Sequence, residues 1–395
     1  MENFDLNNLE LNLEEDVDLD DMFELSSVED NEVIEEEHFK LATKDFLHLL
    51  KKAKTIISAS ARDLITKSVC MQVIDNELVM NVTDFDVYLE VKAPIINTAN
   101  ILEDVVICPI DTLLQLAKAL PSTTTILKEG DKYKIRLIGG SIDIETLSLG
   151  RDKFILKDDL VEDKSIDAND LFKILNAFTP IVQSAVNPME KRILFNEDGA
   201  RAFYMFTMVM HAGDFPQFDV KIKDLQVLKA LLSSAKGKLR TYRTADDKAS
   251  KRFVIQDDVF KYTFLVGEVK VNRILEDNFN QTNFNSGGYV EFANIFKLVE
   301  LSSTLNYATG KVKMKFSSYD NLELKVPTKN GDNTFNLDVT ANGNIEVGVC
   351  VEVPSKMLFT ILKTFQKNTV LSIYTNESRV VLSNNDFRGL VLLDA

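Results

Sequence analysis

One pattern recurs along most of this chain of 395 residues: a strand, an amphipathic helix, then three more strands. The first copy predicts a strand at 38–42, a helix at 44–57 and three strands between residues 68 and 92. Five similar copies follow, and a repeat of roughly fifty residues constrains the fold more than any single motif does. Taken in pairs, the six copies predict an α+β protein of three domains, each with two helices and eight strands.

Helical spacing of apolar residues and turn-forming residues between strands set the boundaries of this prediction. The turn signals include Asp75-Asn76, Gly130, Gly331 and Gly343. We predict helices at 44–57, 111–120, 169–178, 223–235, 294–305 and 355–366. The predicted domains cover residues 38–158, 159–285 and 286–395, and residues 1–37 form an acidic tail that precedes them.

Charge separates that tail from the rest of the chain. Of the 61 acidic residues, 16 lie in residues 1–38, which contain no Lys or Arg, and residues 39–395 hold 45 acids against 45 bases. A segment so acidic and so poor in apolar residues is predicted to be disordered. Within it, residues 9–13 and 19–25 carry spaced apolar side chains among the acids. Such clusters are typical of short docking peptides or of weak competitors for nucleic acid.

The predicted helices turn lysines away from their apolar faces. In the first helix Lys44 and Lys51 lie opposite Phe46, Leu49 and Leu50. Acidic residues are scarce on these outward faces, although the body as a whole is neutral. Six helices with this bias predict a surface for a polyanion that is held through its phosphates without base reading. The predicted DNA-binding residues are Lys44, Lys51, Lys118, Lys173, Lys229, Lys236, Lys297, Lys356, Lys363 and Lys367.

Motifs for catalysis or cofactor binding do not appear in the sequence. There is no phosphate-binding glycine loop and no helix with metal-ligand spacing, and the three histidines are scattered. We therefore expect a binding protein, not an enzyme, with no cofactor and no metal. No run of apolar residues is long enough for a membrane span. Cys70, Cys108 and Cys350 are predicted to be reduced core thiols of a cytoplasmic protein.

The body resembles the bacterial DNA polymerase III β subunit, the sliding clamp, over nearly all of residues 38–395. The resemblance is carried by residues 78–87 with their Thr83-Asp84 turn, by the helix 111–120 ending at Leu120-Pro121, and by the apolar final strand 389–393. Residues 207–211 depart from the family, which has a Thr-Asp-Gly-His-Arg-Leu turn there. The segment Asp214-Phe215-Pro216 also stands before the fourth helix, whereas the family places a comparable one at the end of the domain. This divergence suits a phage-encoded member acting in the cytoplasm of an infected bacterium.

The resemblance implies a homodimeric ring of six domains that closes head-to-tail, with the helices lining a hole for double-stranded DNA. It also implies that DNA polymerase and a clamp loader dock by apolar peptides in a groove between the second and third domains. The methionine-rich wall of that groove suits adaptable peptide binding. The residues expected there are Leu194, Met205, Met208, Met210, Leu392 and Leu393.

Two other functions fit the same sequence. A clamp-like transcription coactivator would share the ring and would tether RNA polymerase to DNA. A repeat-built structural protein would lack DNA, and the lysine bias of the helices argues against that alternative.

Overall fold

The computed structural model describes residues 36–57, 63–245, 251–267, 273–291, 295, 310–328, 331–365 and 369–393. Most of the acidic tail and the predicted fifth helix at 294–305 lie outside these residues. We use the predicted ranges 38–158, 159–285 and 286–395, which stay a proposed division, to name units 1, 2 and 3.

Six α-helices lie in the described residues, and five of them match predicted helices. They are α1 Thr43–Lys54, α2 Ile110–Leu116, α3 Ala168–Ser184, α4 Ile222–Leu232, α5 Arg273–Phe279 and α6 Ser355–Leu362. The third helix is longer than predicted because Pro180 continues it instead of ending it. The helix α5 was not predicted. The end of the predicted second helix, Ala117–Ala119, is a separate 3₁₀ turn.

Strands fill most of the rest of each unit. Unit 1 contains β1 His38–Ala42, β2 Ser68–Ile74, β3 Glu77–Thr83, β4 Tyr88–Pro94, β5 Val106–Pro109, β6 Thr123–Glu129, β7 Lys132–Leu137 and β8 Gly140–Asp143. Unit 2 contains β9 Leu160–Asp167, β10 Arg192–Asn196, β11 Gly199–Tyr204, β12 Thr207–Ala212, β13 Phe218–Lys221, β14 Lys238–Thr244, β15 Arg252–Gln256 and β16 Phe260–Leu265. Unit 3 contains β17 Ser286–Glu291, β18 Lys311–Ser318, β19 Asn321–Thr328, β20 Gly331–Asp338, β21 Thr340–Ala341, β22 Cys350–Pro354, β23 Val370–Asn376, β24 Arg379–Ser383 and β25 Arg388–Leu392.

Four sheets with antiparallel strand pairs result. Sheet I has the order β1-β6-β7-β8, and sheet II has β5-β2-β3-β4-β16-β15-β14-β9. Sheet III has β13-β10-β11-β12-β25-β24-β23-β17-β21, and sheet IV has β20-β19-β18-β22. The α+β class with paired strand–helix–strand repeats is thus confirmed.

Two of the sheets run through from one unit to the next. In sheet II, β4 of unit 1 pairs with β16 of unit 2, and Tyr88 lies opposite Thr263. In sheet III, β12 of unit 2 pairs with β25 of unit 3, and Met208 lies opposite Leu390. Main-chain hydrogen bonds therefore join the units, whereas sheets I and IV each belong to a single unit.

The helices form a second layer that also crosses the unit boundaries. Within unit 1, α1 packs against α2, and across the boundary it contacts α4. The helix α4 packs along α3, and α3 contacts α6 of unit 3. The row α2–α1–α4–α3–α6 is therefore continuous. Its helices bury their apolar faces against the sheets, as α1 does with Phe46, Leu49 and Leu50.

Close packing fixes α6 on its sheet. A Cβ atom added at Gly389 of β25 would lie 2.7 Å from Cγ2 of Ile361, so the strand needs glycine there. Such contacts leave no room for a larger side chain and hold the helix at one distance from the sheet.

Polar side chains reinforce the boundary between units 1 and 2. The guanidinium of Arg252 donates hydrogen bonds to the carbonyl oxygens of Asp86 and Phe85, and it lies over the ring of Tyr88. Nζ of Lys223, in the first turn of α4, lies 3.3 Å from a carboxylate oxygen of the same Asp86. These contacts fix the turn between β3 and β4 against unit 2.

A buried carboxyl group lies close to this boundary. Asp224 of α4 accepts a 2.7 Å hydrogen bond from the Tyr262 hydroxyl, and its other oxygen has no partner among the described residues. Burial raises the pKa of Asp224 to about 6, against the opposing effects of the Tyr262 hydrogen bond and the charge of Lys223. The folded protein therefore holds this proton more tightly than the unfolded chain does.

We expect this carboxyl group to destabilise the fold as the pH rises. Between the unfolded pKa near 4 and the folded pKa the native state binds more protons, so stability falls through that window. The substitution Asp224→Asn removes the ionisation and keeps an acceptor for Tyr262. Relative to wild type, its free energy of unfolding should gain about 2–3 kcal/mol between roughly pH 4.5 and 7.5. Urea titrations at both pH values measure this gain, with the exposed Asp131→Asn as control. If the free energy of unfolding changed by the same amount between the two pH values in wild type and in Asp224→Asn, the prediction would be contradicted.

Candidate nucleic-acid interface and docking surface

The outward face of α6 consists of lysines. In the segment 355–363 only Lys356 and Lys363 are exposed, and the six residues between them are buried. A spacing of seven residues puts the two side chains two turns apart on one face. Neither forms an ion pair with another described residue. Nζ of Lys356 lies 5.6 Å from the centroid of the Tyr204 ring.

The first helix presents a similar stripe. Lys44, His48, Lys51 and Thr55 are exposed at the spacing of one helical face, as predicted. Burial and the neighbouring Lys52 lower the pKa of His48, so its imidazole is neutral at pH 7 and the charge of the stripe comes from the two lysines.

In unit 2 two of the three predicted lysines, Lys173 and Lys229, are engaged by other residues of the protein. Nζ of Lys173 lies 2.7 Å from the carboxylate of Asp386 in unit 3, and Lys173 is half-buried. Lys229 is half-buried as well, and its Nζ lies 3.4 Å from the Thr179 hydroxyl of α3. Burial lowers the pKa of Lys229. These two side chains brace the row of helices. The predicted lysines that are exposed without an ion pair in the described residues are Lys44 and Lys51 of α1, Lys236 after α4, and Lys356 and Lys363 at α6.

The remaining predicted lysines differ in what the structure describes. Lys236 is exposed just after α4 and forms no ion pair with another described residue. The backbone of Lys118 lies in the 3₁₀ turn after α2, but the structure does not describe its side chain. Lys297 and Lys367 lie outside the described residues.

Residues expected in the docking groove form a small apolar cluster of their own, on the opposite face of sheet III from the helix row. Leu194, Met208 and Leu392 are buried in it, and Met210 packs against it. Leu393 packs instead against the main core, and Met205 is exposed. The structure thus brings together four of the six predicted residues.

The helix α5 covers this cluster. Leu275 and Phe279, one helical turn apart, are buried against Leu194, Met208 and Leu392. We missed α5 because it has only seven residues, although the spacing of Leu275 and Phe279 is a helical signal. The side chains of α5 therefore fill the space over the apolar cluster, and the surface that a ligand can reach lies beside the cluster.

Two arginines surround the end of α5. The guanidinium of Arg379 is buried, and its acceptors are neutral: the carbonyl oxygen of Asn278 and the side-chain oxygens of Gln281 and Asn283. Arg388 lies over the Phe279 ring at 4.8 Å. Burial lowers the pKa of both arginines. They anchor the segment that links units 2 and 3.

Other kinds of site find little support in the described residues. No group of three or more potential metal ligands occurs among them, and none of their helices is long and apolar enough to span a membrane. Burial raises the pKa of Cys70 to about 11 and that of Cys108 to about 12, so both thiols are unreactive. The prediction for Cys350 was wrong: it opens β22 with its side chain on the solvent face.

Comparison with known proteins identifies the fold. No protein-family model matches the sequence, and none of the curated proteins does. The DNA polymerase β subunit of Streptococcus pyogenes has a TM-score of 0.73 at 14% identity, with 90% of this chain and 99% of that chain covered. The DNA polymerase III β sliding clamp of Pseudomonas aeruginosa has a TM-score of 0.72 at 14% identity, covering 91% of this chain and 100% of that one.

The DNA polymerase sliding clamp of Bacillus subtilis also has a TM-score of 0.72, at 11% identity, over 91% of this chain and 99% of that one. Together with the two continuous sheets and the helix row, these matches agree with the resemblance found in the sequence. The chain has the fold of the DNA polymerase III β subunits, the sliding clamps.

Proposed function

We propose that this protein is a DNA sliding clamp, in which two copies form a ring around double-stranded DNA and tether replication proteins to it. The observation that carries the proposal is the continuous row α2–α1–α4–α3–α6, which is backed by sheets and whose helices α1 and α6 present exposed lysines that form no ion pair with another described residue. A clamp needs no active site, because it acts by enclosing DNA in a closed ring.

The lysines suit a ligand that must slide. Lys44, Lys51, Lys356 and Lys363 are charges on flexible stems, without the planar donor groups that read base edges. Their contacts with phosphates are independent of sequence and are weakened by salt. The protein would therefore stay on DNA by enclosing it, and the lysines would keep the duplex centred.

Two sheet edges that have no partner strand among the described residues support closure of the ring. Because the Ile144 amide donates to Tyr133 of β7, the amides of Ser141 and Asp143 in β8 point away from sheet I. In sheet IV the Val339 amide donates to Asp320 beside β19, so the alternate amides of β20, including that of Asn336, point outward. We propose that β8 of one copy pairs with β20 of the other, which joins sheets I and IV into one sheet across each interface.

DNA polymerase and a clamp loader are the proposed protein partners. Their docking peptides would lie on the outer face at the boundary of units 2 and 3, beside α5 and the strands β12 and β25. Exposed apolar side chains at this boundary, such as Met205 and Ile274, support that position.

The test is retention on circular DNA. The protein is loaded onto nicked circular plasmid by prolonged incubation at low salt, and free protein is removed by gel filtration at higher salt. We expect the protein to elute with the circle and to be lost after the circle is cut once with a restriction enzyme. Equal retention on circular and linear DNA would contradict encirclement.

A further inference from the structure

We infer that residues 19–25 of the acidic tail bind the exposed apolar surface at the boundary of units 2 and 3 and compete there with partner peptides. This inference rests on the proposed function, because it assigns a regulator to the proposed docking surface. It takes its support from the shape and charge of that surface and from the sequence of the tail.

The surface centres on the tight turn between β11 and β12. Met205 and Phe206 form this turn and are 48% and 42% exposed. Nearby, Met189 is 51% exposed, and Ile274 on α5 is 66% exposed. We call these four residues the turn patch. Monomeric proteins rarely gather large apolar side chains on one exposed surface without a ligand.

Hydrogen bonds and packing hold the members of the turn patch together. The Met205 amide lies 3.3 Å from the carboxylate of Glu190, the residue after Met189. The Leu392 amide donates to the Phe206 carbonyl oxygen, so the end of β25 runs beside the turn. The helix α5, which carries Ile274, packs on both β12 and β25. The patch is thus assembled on fixed elements of units 2 and 3.

A positive charge adjoins the turn patch. Lys191 follows Glu190 in the chain, and the Glu190 carboxylate faces the Met205 amide. Lys191 forms no ion pair with another described residue. An apolar surface with a free lysine at its border favours a ligand that combines apolar anchors with acids.

The tail supplies a segment with that combination. Residues 19–25 contain Leu19, Met22, Phe23 and Leu25 together with Asp20, Asp21 and Glu24. The apolar side chains can enter the turn patch, and the acids can face Lys191. The other apolar cluster of the tail, residues 9–13, contains one acid, Glu10, against three in residues 19–25.

The tail is tethered to the same chain as the turn patch. It continues into β1, which lies at the edge of sheet I opposite β8. The eleven residues from 25 to 36 can extend over about 35–40 Å. Tethering raises the local concentration of the segment to the order of millimolar, so a weak contact suffices for competition.

The test uses the full-length protein and a fluorescein-labelled synthetic peptide of residues 16–28, with binding followed by fluorescence anisotropy at low salt. We expect Phe206→Asp to weaken peptide binding about tenfold or more. The matched control is Phe85→Asp, since Phe85 is equally exposed and occupies the corresponding turn of unit 1. It should leave the affinity unchanged.

A second variant tests competition by the tail itself. The double substitution Met22→Ala with Phe23→Ala in the full-length chain should raise its affinity for the labelled peptide several-fold, because its own segment competes less well. A photoreactive group at position 23 of the peptide should crosslink to residues 186–206 or 273–279, which keeps the test independent of any folding defect in the variants.

Three results would overturn the inference: equal effects of Phe206→Asp and Phe85→Asp, an unchanged affinity in the tail variant, or loss of binding in Lys44→Glu with Lys51→Glu but not in Phe206→Asp. The last result would mean that the tail binds the helix row. Each would leave the retention of the wild-type protein on circular DNA, which tests the proposed function, unaffected.

Discussion

Replacing both Lys356 and Lys363 by glutamate is expected to lower the affinity for DNA at low salt, and with it the amount of protein loaded and retained on circular DNA, by on the order of tenfold to a hundredfold. The two lysines are the exposed residues of the segment 355–363, which contains α6, so the change reverses the charge of an entire helix face. A ring of two copies would carry four such reversals. The dependence of binding on salt should flatten by about 0.9 in logarithmic slope for each phosphate that the protein no longer neutralises.

A matched double substitution separates this effect from a change in net charge. Lys153→Glu with Lys311→Glu reverses two other exposed lysines, one in a 3₁₀ turn of unit 1 and one in β18, where Lys311 pairs with Glu352; neither lies on a helix of the row. It should leave retention and the salt slope close to those of the wild type. Folding should survive both changes, because exposed positions usually alter stability by less than about 0.5 kcal/mol. Equal retention of the two variants would contradict the placement of DNA against α6.

The second large effect concerns ring closure, where Ser141→Pro is expected to make the protein monomeric. Proline removes an outward amide of β8, and it spares the hydrogen bonds that β8 makes with β7. The change Asn336→Pro should act in the same way on the outward edge of β20. Light scattering at micromolar concentration measures the mass, with Ser141→Ala and Asn336→Ala as controls that keep the amides.

Mixing the two proline variants gives a sharper outcome. Each variant keeps one intact edge, so β8 of the Asn336→Pro chain can pair with β20 of the Ser141→Pro chain. The mixture should form a dimer with a single interface, which cannot close and which is not retained on circular DNA. Dimers in either variant alone, or a mixture that stays monomeric, would contradict the pairing of β8 with β20.

Regular features of the fold could be predicted from the sequence because they depend on local periodicity. The repeat and the turns indicated the class and five helices, and the exposed stripe of α1 follows from its apolar spacing alone. By contrast, the engagement of Lys173 depends on Asp386, more than two hundred residues away, and that of Lys229 on the packing of α4 along α3. Lysine spacing on one helix carries no information about partners on another.

The docking surface was only partly predictable for a similar reason. Met208 and Leu392 lie in strands whose side chains point alternately to the two faces of the sheet, and this alternation predicts the face on which each residue lies. It does not reveal that Phe279 of a seven-residue helix fills the space above them. Exposure of Cys350 likewise depends on the face that β22 turns outward, which the apolar context of the segment did not indicate.

The central claim is that the protein encloses DNA, and covalent closure of the ring tests it most directly. Cysteines replace Ser141 in β8 and Thr334 in β20, and Cys350→Ser removes the exposed native thiol, while Cys70 and Cys108 are buried. The protein is incubated with nicked circular DNA, crosslinked with a long flexible bismaleimide and treated with SDS. We predict a complex that survives SDS on circular DNA and falls apart once the circle is cut. Release of the DNA by SDS in spite of complete crosslinking, or equal survival on linear DNA, would contradict encirclement.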